Sequence, residues 1–440
     1  MEEKYYLINT YGCQMNIHES EKLAGMLENL GYKATEDSKI ANVIIFNTCC
    51  IRESAEQKIY GNIGDLKGLK KQRPDLVIAV CGCMSQQKGV ADNIKKKFPF
   101  VDIVFGTHNL TNFEQYLQQK LSTKKSVYEV WESEHEIVEN TPVYRTSNFN
   151  AWVNIMYGCN NFCTYCIVPY VRGRERSRSM QNIIAEVTDL VQNQGYKTVT
   201  LLGQNVNSYG NDIDDENVNF ANLLTELCKI KGDFRIKFLT SHPKDLTDKV
   251  IEVIAREPKI AKTIHLPVQS GSTKILTAMN RRYTVEHYKG VIDRIKKAIP
   301  DVNLTTDIIV GFPGETEEDF MQTYELIEYV RYTSLFAFMY SKRRGTIAEK
   351  MDNQVDIKTK HERISKILDL ERAISKEITL AMQGKTVEVL VSEQKDGYYI
   401  GKTDCGKTVQ LMPDEKIKMG EFYMVKIGQI KSNKLIGQVL

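Results

Sequence analysis

The stretch Tyr157-Gly158-Cys159-Asn160-Asn161-Phe162-Cys163-Thr164-Tyr165-Cys166 follows directly on a strand-like apolar run, Trp152–Met156. Three thiolates at the spacing Cys-x3-Cys-x2-Cys, set where a strand gives way to a loop, can hold three irons of a 4Fe–4S cube. An ordinary cluster takes four cysteines, so this set leaves one iron open to another ligand. Structural zinc takes four protein ligands, and no fourth Cys or His lies nearby.

Working outward, the run Trp152–Met156 is the first of six strand-like segments, the others being Thr198–Leu202, Arg235–Leu239, Thr263–Leu266, Leu304–Val310 and Leu335–Met339. Helical patterns lie between most of them, which predicts an open, partial (β/α)6 barrel rather than a closed eight-fold one. Upstream, Lys4–Thr10, Asn42–Thr48, Leu76–Val80 and Val101–Phe105 alternate with helical patterns and predict an open parallel α/β domain. Downstream, a helix-like tract over Lys358–Met382 leads into five short alternating segments between Thr386 and Leu440, a small OB-like β-barrel. The expected domains are 1–121, then 147–375, then 376–440. The polar, aperiodic tract 122–146 reads as a linker.

The chain has 440 residues, 42% hydrophobic and 26% charged, which is ordinary for soluble globular protein. No apolar run is long enough to span a bilayer, and the acidic start has no signal-peptide pattern, so a cytoplasmic protein without membrane contact is expected. Ten cysteines in that compartment point to metal or redox chemistry rather than disulfides. A net charge of +3 decides nothing about polyanionic partners, so local charge must.

A second cysteine group is dispersed: Cys13 in Y-G-C-Q-M-N, Cys49 in N-T-C-C and Cys83 in C-G-C-M. Each lies at or just past the end of an expected strand of the first domain, where ligand crevices of open parallel sheets form. On pattern alone Cys50 and Cys81 compete with their neighbours for any such role.

With both groups in view, the chain resembles the radical S-adenosylmethionine (SAM) methylthiotransferases, and among them those that form 2-methylthio-N6-dimethylallyladenosine in tRNA. The resemblance runs nearly end to end. It rests on Y-G-C-Q-M-N from Tyr11, N-T-C-x-I-R-E-S-A-E from Asn47, the ten residues from Tyr157, and L-L-G-Q-N-V-N-S-Y from Leu201. Further matches are T-S-H-P from Thr240, L-P-V-Q-S-G-S from Leu266, M-N-R-R-Y-T from Met279 and G-F-P-G-E-T from Gly311. The tail is similar to the RNA-binding TRAM domain. The resemblance implies an auxiliary 4Fe–4S cluster on Cys13, Cys49 and Cys83, and a radical SAM cluster on Cys159, Cys163 and Cys166. It also implies two SAM molecules per turnover: one methylates a sulfur on the auxiliary cluster, and the other gives the 5′-deoxyadenosyl radical that takes hydrogen from carbon 2 of the adenine. The substrate would be tRNA carrying isopentenyladenosine at position 37, beside the anticodon. The electron donor would be a low-potential protein of the flavodoxin or ferredoxin kind, with the sulfur source left open, and the enzyme a monomer.

Contacts to SAM are expected at barrel strand ends, from Gly203, Gln204, Ser241, Gln269, Asp307 and Gly311. Contacts to RNA phosphates are expected from Arg172, Arg174, Arg176, Arg178, Arg281, Arg282, Arg343 and Arg344, which cluster in strand-end loops. Tyr165, Tyr170 and Tyr340 are candidates to stack on loop bases. Of the histidines, only His242 has a site-like position. Two other readings compete: methylthiolation of threonylcarbamoyladenosine, and a zinc-bearing RNA-binding protein without catalysis.

Overall fold

The computed structural model describes residues 3–50, 53–133, 137–139, 141–431 and 434–440; Ile51 and Arg52 of the N-T-C-x-I-R motif lie outside them. The N-terminal sheet has strands β1 (Lys4–Thr10), β2 (Tyr32–Ala34), β3 (Val43–Thr48), β4 (Val77–Gly82), β5 (Ile103–Phe105) and β6 (Val127–Glu129). All are parallel, in the order β2-β1-β3-β4-β5-β6. Strands β3 and β4 are buried along their whole length, as their continuous apolar sequences require when helices cover both faces. Leu23 and Leu27 of the helix Gln14–Asn29 and Phe113 and Leu117 of Phe113–Thr123 pack on one face. Ile59 and Ile63 of Glu53–Gln72 and Ile94 of Val90–Lys97 pack on the other. Strand order reverses between β1 and β3, which puts the crevice of this sheet at their C-terminal ends.

The tract read as a linker is partly structured. Strand β6 lies within it: Val127 is buried and pairs with Ile103 at the sheet edge. Three residues are too few to show a period, and their polar surroundings hid them. Further on, Arg145 bonds Trp152 O at 2.8 Å and Glu186 at 3.0 Å, and Thr146 donates to Glu21 Oε1 from both N–H and Oγ1 at 3.1 Å.

The central strands are β7 (Asn150–Asn154), β8 (Met156–Tyr157), β9 (Arg176–Ser177), β10 (Thr198–Leu202), β11 (Arg235–Phe238), β12 (Thr263–His265), β13 (Asn303–Val310) and β14 (Ser334–Met339). Strands β7-β10-β11 and β12-β13-β14 form two parallel sheets, joined by a bridge between Ile236 and Ile260. Among the described residues no strand closes β14 onto β7, so the barrel is partial and open. The short antiparallel pair β8–β9 brackets the loop that carries Cys159, Cys163 and Cys166.

The tail closes into a barrel, β15 (Thr386–Lys395), β16 (Tyr398–Thr403), β17 (Thr408–Leu411), β18 (Phe422–Lys431) and β19 (Lys434–Val439), in the order β15-β16-β17-β19-β18. Inward residues Val389, Val391, Val409, Leu411, Val425, Ile427 and Leu435 fill it. It docks on the N-terminal ends of the central strands. Arg235, the first residue of β11, pairs with Glu388; Lys197, just before β10, bonds Glu421 at 2.8 Å; Lys262 N–H bonds Asp404 at 3.0 Å. The cysteine loops are at the other end.

Candidate metal centres

In the first domain Cys13 follows β1 and N-caps the helix Gln14–Asn29, Cys49 follows β3, and Cys83 follows β4 and begins a one-turn helix. These are three adjacent strands, so the three thiols share one crevice. The close approach of β1 and β3 there depends on Gly12, at φ +118°: a Cβ on it would sit 2.6 Å from Cys49 Cβ and 2.9 Å from its Sγ. Cys81, the penultimate residue of β4, packs into the core with Val43 and Ile45, where burial pushes its thiol well up. Cys50 is buried against the Cys83 thiol, hydrogen-bonded to it, and Cys83 is lowered as a result and by the nearby Arg172. Two residues apart, Cys81 and Cys83 would share a face if β4 ran on. The strand ends at Gly82, and the helical turn beginning at Cys83 carries that side chain to the opposite layer, with Ile78 and Val80, a distinction no local sequence motif carries.

In the central domain Cys159, Cys163 and Cys166 lie in the loop after β8. Cys159 N–H donates to Gly173 O at 3.1 Å, Cys166 N–H to Cys163 O at 2.9 Å, and Thr164 N–H to Met279 O at 3.0 Å. Gly158, at φ +77°, lets this loop pass against Arg174, whose carbonyl oxygen would be 1.9 Å from a Cβ. Burial pushes Cys159 up to about 11 and Cys166 up to about 12. Among the described residues no three Cys, His, Asp or Glu side chains converge on a single-ion site. A cube seats each thiolate on its own iron, which suits cysteines grouped more loosely than that.

Around this loop the central strand ends collect buried polar atoms that no described group satisfies: Asn154 Oδ1, Asn205 Oδ1, both side-chain atoms of Asn207, Ser241 Oγ, His242 Nε2 and Tyr340 OH. Burial and the charges of Arg281, Lys244 and Arg282 hold His242 down at about 2, so its imidazole is neutral. Such a concentration at one end of a barrel is what a polar ligand would relieve. Of the expected SAM contacts, Ser241 is among these atoms. Gln204 accepts Gly158 N–H at 2.5 Å and reaches Met15 Sδ of the first domain. Gln269, at φ +75°, is bonded through its backbone to Asp307 O and Ile309 N. Asp307 faces His265 Nε2 at 3.6 Å. Gly203 packs on Met156, and Gly311 N–H is held by Glu315 at 2.8 Å.

The arginines divide sharply. Arg172, Arg178 and Arg281 are buried and cannot meet a phosphate backbone, which corrects the expectation for them. Arg172 pairs with Glu19, Arg178 with Glu139 at 2.6 Å and Glu186 at 2.8 Å, and Arg281 bonds Pro267 O at 2.6 Å. Arg174, Arg282 and Arg344 are exposed, and Arg176 and Arg343 half-buried. Arg174 stacks on Phe162, 4.4 Å from the ring centre, and Tyr170 meets the same ring edge-on at 5.9 Å. Tyr170 is half exposed, at 49%. Tyr340 is buried with Met279 and Phe312 and is not open to a base, and Tyr165 packs partly buried against the same cluster.

Comparison with known proteins bears on the whole chain. Residues 153–327 match the radical SAM superfamily, 5–106 the uncharacterized protein family UPF0004, and 380–440 the TRAM domain. A tRNA-2-methylthio-N(6)-dimethylallyladenosine synthase of Clostridium botulinum (strain Langeland) is 54% identical over 98% of this chain and 96% of its own. Synthases of the same name from Thermoanaerobacter pseudethanolicus and Clostridium perfringens are 51% and 52% identical, covering 99% and 100% of this chain and 93% and 98% of theirs. The chain belongs to the tRNA-2-methylthio-N(6)-dimethylallyladenosine synthase family. Its fold also resembles that of the radical SAM methyltransferase TsrM from Kitasatospora setae (TM-score 0.58, 12% identity, 79% of this chain and 75% of that one). A family member with a radical SAM domain carries a 4Fe–4S cluster and SAM, and the barrel mouth suits both: three clustered thiols beside buried polar atoms without protein partners. No helix among the described residues is long and apolar enough to cross a membrane.

Proposed function

We propose that this protein methylthiolates carbon 2 of N6-isopentenyladenosine at position 37 of tRNA, giving 2-methylthio-N6-dimethylallyladenosine. Cys159, Cys163 and Cys166 hold the radical SAM cluster, and Cys13, Cys49 and Cys83 an auxiliary one. When bound, the clusters with two SAM molecules supply a carbon-centred radical and the methylated sulfur, chemistry that an unactivated C–H bond requires and acid–base catalysis cannot provide. The chain's own residues do the placing. Strand-end loops carry both cysteine sets, and Ser241, Gln204, Gln269, Asp307 and the glycine turns at Gly203 and Gly311 surround SAM. Neutral His242 and the buried asparagines offer it hydrogen bonds without charge. Exposed Arg174, Arg282 and Arg344, with half-buried Arg176 and Arg343 behind them, line the approach for phosphates, and Tyr170 on Phe162 offers a stacking face.

The observation that carries this reading is the contact between the elements that bear the two cysteine sets. Arg172, from the helix after Cys166, is buried against Asn16 and Glu19, beside Cys13 and Cys83. Two chemistries meeting at one mouth is what joining a methylthio group to a carbon radical demands. Reduction would come from a flavodoxin- or ferredoxin-like donor, and the working form is a monomer. Anaerobically reconstituted enzyme, SAM, a reductant and an anticodon stem-loop bearing isopentenyladenosine should give the methylthio nucleoside by mass spectrometry. Preference for a threonylcarbamoyladenosine stem-loop would refute the substrate assignment.

A further inference from the structure

Arg172 and Arg281 are unlike the other arginines near the mouth. Arg172, 5% exposed, grips Glu19 through both terminal nitrogens (Nη1–Oε1 2.5 Å, Nη2–Oε2 3.1 Å) and donates to Asn16 Oδ1 at 2.9 Å, with its charge beside the Cys83 and Cys13 thiols. Arg281, equally buried, donates from Nη1 to Cys163 Sγ at 3.5 Å, from Nη2 to Pro267 O at 2.6 Å and from Nε to Tyr283 OH at 3.0 Å. Arg281 aims one donor at a cysteine sulfur of the barrel loop, and Arg172 sets its buried charge beside the thiols of the first domain, so each serves a different set. Guanidinium stays charged whatever its surroundings.

We infer that Arg172 and Arg281 are positioning residues that tune the reduction potentials of the two clusters, Arg172 through Cys83 and Cys13 and Arg281 through Cys163. The inference rests on the two-cluster reading above. Hydrogen bonds to cluster sulfurs and net charge nearby set such potentials. A buried cation favours the reduced, more negative state and so raises the potential. The two settings differ: Glu19 offsets the charge of Arg172, whereas among the described residues Arg281 bonds no carboxylate. The radical SAM set therefore feels a full positive charge and the auxiliary set a partly cancelled one, so a single chain can hold two like cubes at different potentials.

The test is a redox titration of the anaerobically reconstituted full-length chain, followed by electron paramagnetic resonance, with iron and sulfide counted first. Arg172→Gln should lower the potential of the auxiliary cluster and leave the other unmoved; Arg281→Gln should do the converse. Arg281→Lys, keeping the charge but losing the forked donor, should give a smaller fall than Arg281→Gln. Glu19→Gln should raise the potential that Arg172→Gln lowers. Opposite shifts from the two members of one ion pair are not expected of a purely structural role, which would give iron loss or lower melting in both. If Arg172→Gln fails to hold iron, Glu19→Gln still decides. Two clusters whose potentials stay put in Glu19→Gln and Arg281→Lys overturn the inference alone. A wild-type chain holding iron for only one cluster overturns the two-cluster reading and the inference with it.

Discussion

A methyl group at position 12 would have to occupy the space of the Cys49 side chain, 2.6 Å from its Cβ, in a backbone conformation that only glycine adopts freely. Gly12→Ala should therefore displace Cys49 and cost the auxiliary cluster while leaving the barrel set intact; iron and sulfide analysis should show about half the wild-type content. His242 makes a second prediction. Its folded pKa of about 2 lies far below that of an unfolded histidine. As pH falls through about 6.5 the unfolded chain takes up a proton that the folded chain refuses, so stability declines, by up to about 1.4 kcal/mol per pH unit for this one group. Melting curves of the apoprotein between pH 7.5 and 5 should fall more steeply for wild type than for His242→Gln. Residue chemistry was legible in sequence where it was local: Cys159, Cys163 and Cys166 announce themselves by spacing. Arg172, Arg178 and Arg281 did not, because what makes each of them internal is a tertiary partner that no local pattern announces: Glu19, Glu139 with Glu186, and the Pro267 carbonyl.

At the scale of elements, the two cysteine sets stand on different supports. One sits in a single loop between β8 and β9, the other on three adjacent ends of β1, β3 and β4. Their losses should separate. Alanine at Cys159, Cys163 and Cys166 should abolish SAM cleavage with about half the iron kept. Alanine at Cys13, Cys49 and Cys83 should leave slow 5′-deoxyadenosine release without methylthio product, read by chromatography of the reaction. A second triple variant with full iron would remove the auxiliary assignment. The six strands of the two central sheets and the five of the tail could be read from their apolar or alternating sequences, even β12 with its three residues, because turn-forming and helical stretches set them off. Strands β2 and β6 are three residues each and lie at the sheet's edges, where half the pairing potential is unused and composition says little.

For the whole molecule, the placing of the tail barrel at the N-terminal strand ends separates it from the chemistry. Deleting residues from Gln383 onward should weaken tRNA binding several-fold in filter or anisotropy assays, steeply more at low salt where counterion release matters, and leave SAM cleavage in place. The junction at Arg172 has a consequence in time as well as space. The chain is made from its N-terminus, and the first domain is complete before Arg172, which packs beside its crevice, exists. Strand β6, the last of its sheet, ends at Glu129, and at 5–20 residues per second the ribosome needs on the order of five seconds more to reach Arg172. During that interval the Cys13, Cys49 and Cys83 thiols and the Glu19 carboxylate face solvent without their cation. Afterwards Arg172 and its helix lie along one side of the crevice, against Asn16 and Glu19. Synthesis thus provides a window in which iron and sulfide reach the first pocket unhindered, and a slowly translated stretch before Arg172 would lengthen it.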